Sequence, residues 1–118
     1  MAVVRPRPPR DGPASAVAWL ISQGRHLRDR DFAHLAAGRF PSDTVEWAQL
    51  IYGEIPSIVD WFTFVSDAVD AHGDSELARR VIRHPPELRE DWRPLVEAID
   101  SNLVVLEQLD ARLHPTTP

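Results

Sequence analysis

The chain has 118 residues, no cysteine, 43% hydrophobic and 26% charged residues, and a formal net charge of −5. These values fit one globular domain large enough to bury a core, and they exclude disulfides, thiolate metal centres and cysteine nucleophiles. The acidic balance disfavours non-specific nucleic-acid binding unless the arginines are segregated, and no apolar run approaches the ~18 residues of a membrane span.

Residues 1–13, M-A-V-V-R-P-R-P-P-R-D-G-P, have too many prolines for a helix and too few apolar groups to bury. They predict a disordered Pro/Arg-rich arm, whose R-P-R-P-P-R core has the composition of a polyproline helix. The prolines between Arg5, Arg7 and Arg10, and the short apolar run after them, argue against a signal peptide. The expected location is cytoplasmic. A single helical domain is expected over 14–113, followed by a disordered tail at 114–118.

The first helix is expected over 14–27, with Val17, Leu20, Ile21, Gly24 and Leu27 on one face and Ser15 as its cap. Gly24 weakens it by roughly 1 kcal/mol relative to Ala, so a bend or an end is expected there. A short helix started by Asp29 or Asp31 and closed by Gly38 would bury Phe32, Leu35 and Ala36. Asp43 and Glu46 have capping-box spacing and predict a helix through Tyr52, closed by Gly53.

The most apolar helix is expected over about 57–72. At 100° per residue, Ile58, Trp61, Phe62, Val65, Ala68 and Val69 share one side, which Val59, Phe64 and Ala71 widen. Asp60, Thr63, Ser66, Asp67 and Asp70 form the polar wedge. Ser57 is the expected N-cap, Pro56 blocks helix at Ile55, and Gly73 takes the left-handed conformation past the last turn. A helix this apolar predicts the centre of the fold. Asp74 or Ser75 then starts a short helix to about His84, stopped by Pro85 and Pro86. The last helix is expected over about 91–113, with Pro94 in its first turn. No strand signal and no internal repeat are evident. The fold class is therefore all-α, a compact bundle of about five helices around a central apolar one, with a long C-terminal helix.

Four constellations bear on function. His26, Asp31 and His34, and separately His72 and Glu76, have loose metal-ligand spacing but form no Glu-x-x-His or His-Glu-x-x-His motif, so solvated side chains are expected. Asp60, Asp67, Asp70 and Asp74 would do acid–base work only if burial separated their pKa values. On a polar wedge they are expected to be solvated or paired with Arg. No cofactor is expected. Arg79, Arg80, Arg83, Arg89 and Arg93 concentrate within fifteen positions, and a recognition helix would put Arg79, Arg80 and Arg83 on phosphates and guanines. Nearby Glu76, Glu87, Glu90 and Asp91 dilute that patch.

The sharpest pattern is the repeat Trp92, Leu95, Ile99, Asn102, Leu106, Leu109 and Leu113 at three- and four-residue spacing. It predicts an apolar seam, either in the domain's own core or at an interface with a second copy or a helical partner. Asn102 in mid-seam favours the interface, because a buried Asn fixes register and oligomeric state in coiled coils. By elimination the expected function is a non-catalytic protein–protein interaction or regulatory module, homodimeric through the C-terminal helix. The alternatives are a small nucleic-acid-binding regulator, and an apolar-ligand bundle or small enzyme using its aromatic residues.

Overall fold

The structure, a computed structural model, describes residues 7–31, 55–86 and 93–114. Among them all regular structure is helical: α1 (Pro13–His26) running into a π-helical turn (Leu27–Asp31), α2 (Ile55–His72), α3 (Ser75–Arg80) and the long α4 (Arg93–Leu113). The helices expected over 31–38 and 43–52 lie largely or wholly outside the described residues, as do Trp92 and most of the tail.

Helix α1 starts without the expected Ser15 cap. Gly12 adopts φ 134°, a conformation that favours glycine, and Pro13 supplies the pre-set φ of a first helical residue. The Gly12 carbonyl accepts the Ala16 N–H at 3.1 Å. The helix does not end at Gly24. It continues to His26 and widens into the π turn, where the Leu27 N–H is shared between the Gln23 and Gly24 carbonyls.

Gly24 instead marks a close crossing. A β-carbon there would stand 2.5 Å from the Trp61 ring and 2.7 Å from Leu103. Glycine lets the indole lie against the α1 backbone, and Trp61 Nε1–H donates to the Leu20 carbonyl at 2.9 Å inside the core. The Trp61 ring also meets Phe62 edge-on, centroids 5.2 Å apart.

Helix α2 begins at Ile55, so Pro56 falls in its first turn, where a missing N–H costs little; it does not exclude Ile55. Ile58, Trp61, Phe62, Val65, Ser66 and Val69 are buried, an arc of about 140° by helical geometry. Two residues depart from the expected faces. Val59 is 44% exposed although apolar, while Ser66 is buried and donates its hydroxyl to the Phe62 carbonyl at 2.9 Å. Phe64 and Ala68 are only partly buried. Gly73 is not left-handed; a β-carbon there would approach the Val69 carbonyl to 2.8 Å.

Asp74 caps α3 by accepting the Leu77 N–H at 3.0 Å. The helix ends at Arg80 and not near His84, because Val81 turns extended at φ −67°, ψ 135°. Helix α4 runs to Leu113 as expected, with Pro94 in its first turn.

The core is continuous across the helices, with Val17 and Leu20 from α1, Ile58, Phe62, Val65 and Val69 from α2, and Leu77 from α3. Leu95, Ile99, Leu103, Leu106 and Leu109 complete it from α4, and all twelve are at most 2% exposed. Each such side chain stabilises the fold by ~1.5–3 kcal/mol. Helix α1 makes its most extensive contact with α4, and α2 packs on both.

Candidate functional site

Five of the polar side chains singled out in the sequence, Asp70, Asp74, Arg80, Arg83 and Asn102, meet in the region where α3 and the non-helical segment 81–86 contact α2 and α4. Its centre is Asn102. This residue is fully buried, and its side-chain amide meets the main chain of Ile82 on both sides. Ile82 N–H donates to Asn102 Oδ1 at 2.8 Å, and Asn102 Nδ2 donates to the Ile82 carbonyl at 2.9 Å. Asn102 thus supplies the partners that further helix would have given Ile82, which accounts for the early end of α3. His84, preceding Pro85, is in any case biased away from helix.

Around this clasp sit three exposed contacts. Arg83 grips Asp70 of α2 with two hydrogen bonds of 2.8 Å and also reaches the Ala78 carbonyl at 3.3 Å. Arg80 donates to Gln108 of α4 at 2.8 Å, and Arg112 of α4 pairs with Asp74. These contacts shift the titrations. The Arg83 guanidinium holds the Asp70 carboxyl below its usual range and is itself raised by it. Asp74 is lowered first by the Leu77 N–H it caps and then by Arg112.

The arginine patch is therefore only partly available to a ligand. Arg79 and Arg80 lie exposed on α3, a helix of six residues, whereas Arg83 lies beyond it and is neutralised by Asp70. No recognition helix carrying all three arginines forms here. The carboxylates fare similarly as acid–base candidates. Asp70 and Asp74 are held ionised by their partners, opposite to the raised pKa that a general acid needs near neutral pH. Among the described residues no cluster of His, Asp and Glu gathers with metal-binding geometry; His34 and the Asp31 side chain lie outside them.

The repeat on α4 faces inward. Leu95, Ile99, Asn102, Leu106 and Leu109 are buried against the chain's own helices, Leu113 is half-buried, and Trp92 lies outside the described residues. Of the two places the repeat allowed for this seam, its described side chains occupy the chain's own core, and Asn102 has its partner within the chain. A buried Asn must be hydrogen-bonded, and the periodicity cannot say whether the partner is a second Asn or a main chain.

Elsewhere on α4, Arg25 reaches Glu107 at 3.1 Å, and Arg28 bridges Asp29 and Asp100, each at 2.7 Å. The Arg28 guanidinium lowers Asp29 and is raised in turn, chiefly by its hydrogen bonds to Asp29 and Asp100. These ties between the end of α1 and α4 have no signature in the sequence, since their partners are more than seventy residues apart. No helix among the described residues is long and apolar enough to cross a membrane. Comparison with protein-family models, curated proteins and solved structures finds no match to the chain.

Proposed function

We propose that the chain is a non-catalytic helical interaction or regulatory module that works through its helix surfaces and pairs with a second copy through α4. The observation that supports this is Val104, 43% exposed on the outer face of the longest helix. Asp100 and Glu107 beside it are paired with Arg28 and Arg25, while Glu97, Ser101 and Ala111, seven and three residues before it and seven after, share its side of the helix and are all exposed. Two of them are small, so another helix can approach closely. With the inner seam filled, pairing uses this outer face. The reading of α2 as the centre of a bundle of about five helices belongs to the same proposal, and half-buried Phe64 and Ala68 support it by leaving room for a further neighbour.

Light scattering across a dilution series tests the pairing. The expected mass rises from one chain toward two with concentration, and Val104→Asp keeps it at one without lowering the melting temperature. A wild-type chain that stays monomeric at high concentration overturns the proposal. The nucleic-acid reading through Arg79, Arg80 and Arg83 is weaker because Arg83 is paired with Asp70. A gel shift that weakens steeply with salt would restore it.

A further inference from the structure

The attachment of α3 and the segment after it differs in kind from the rest of the fold. Helices α1, α2 and α4 each contribute several buried apolar side chains. The stretch 74–82 contributes two, Leu77 and Val81, with Ala78 and Ile82 half-buried. A six-residue helix has no stability of its own. Beside those two side chains, what fixes this stretch is polar, namely Asn102 on the Ile82 main chain and the pairs Arg83–Asp70, Arg80–Gln108 and Arg112–Asp74. The last three are exposed, and exposed pairs hold weakly. The Asn102 clasp is the only one of the four centred on a fully buried side chain.

We propose that residues 74–82 form a flap that opens as one unit while α1, α2 and α4 stay packed, and that Asn102 is its latch. The latch reads main chain only, so it sets where the flap closes whatever the side chain at position 82. Opening lets water reach both the Asn102 amide and the Ile82 peptide, so neither is stranded unsatisfied in a dry core. It also uncovers Leu77 and Val81, together with the apolar surface of α2 and α4 on which they are packed. Such sub-global opening is the ordinary behaviour of units with few buried contacts. The inference is independent of pairing through α4.

Native-state hydrogen exchange followed by NMR tests it, because both the flap and the core carry reporter protons. In the flap these are the amides of Leu77, Ala78, Val81 and Ile82, bonded respectively to Asp74 Oδ1, the Asp74 carbonyl, the Leu77 carbonyl and Asn102 Oδ1. In the core it is the indole N–H of Trp61, bonded to the Leu20 carbonyl. The four flap amides are expected to share one opening constant, at least tenfold larger than that of the indole proton. Asn102→Leu should raise all four together by a further tenfold or more and leave the Trp61 proton nearly unchanged. Arg83→Gln, which folds without disturbing a buried residue, should raise them together by a smaller factor. Wild-type flap amides that exchange at the rate of the core overturn the proposal before any variant is made. Acceleration confined to Ile82 in Asn102→Leu, or shared equally with Trp61, overturns the latch.

Discussion

At the scale of single residues, the positions that look weak in the sequence turn out to carry specific contacts. Gly24 is the clearest. By propensity, Gly24→Ala should stabilise α1 by ~1 kcal/mol. In the fold, the added β-carbon would stand 2.5 Å from the Trp61 ring and 2.7 Å from Leu103, and overpacking a filled core costs ~1–3 kcal/mol. The clash should win, since ring and helix are both held in place. Urea denaturation should therefore show Gly24→Ala less stable than wild type; a rise in stability would mean the crossing can relax. Asn102 was legible as an anomaly in an apolar repeat, but its partner was not. The Ile82 main chain is twenty residues away and presents no side-chain pattern to read.

At the scale of elements, periodicity located the described helices well and their boundaries less well. The buried face of α2 was readable, and Phe62, Val65 and Val69 lie fully inside. Its edges were not, because Ser66 satisfies its hydroxyl on the Phe62 carbonyl and so tolerates burial. Val59, on the adjoining edge, remains exposed because the neighbours do not wrap that far. Phe62→Ala should cost about 3–5 kcal/mol, read as a lower urea midpoint at unchanged slope. A loss below about 1 kcal/mol, typical of surface sites, would mean α2 contributes little to the core. Helix α3 shows the opposite limit. Its start was visible in Asp74, whereas its end is set by a clasp from α4, leaving four residues before the first breaker in the sequence, Pro85. Asp74→Ala removes both the cap and the Arg112 partner, so it should lower the melting temperature more than Ser75→Ala, whose side chain caps nothing. Equal effects would show that the cap is idle.

At the scale of the whole molecule, exposed ion pairs join elements that the core alone leaves free at their ends. Arg25–Glu107 and Arg28–Asp100 tie the end of α1 and the π turn to α4, while Arg83–Asp70 and Arg112–Asp74 tie the 74–83 region to α2 and α4. Asp29 and Asp70, hydrogen-bonded by Arg28 and Arg83, and Asp74, bonded first by the Leu77 N–H it caps and then paired with Arg112, bind protons less readily in the folded chain than in the unfolded one. A carboxylate lowered on folding contributes stability that is fully present above its unfolded pKa, about 4, and is lost as pH falls through its folded value. Asp70→Ala isolates one such contribution, because the remaining titrations are common to both proteins. The stability difference between wild type and this variant should be constant from about pH 7 down to about pH 5 and shrink steadily below about pH 4. It should also shrink at pH 7 in ~1 M salt, where the screening length falls to about 3 Å. A difference that persists unchanged into acid, at low and high salt alike, would show that Asp70 acts by packing and not by its charge against Arg83. Denaturation midpoints of the two proteins at four pH values decide between these outcomes.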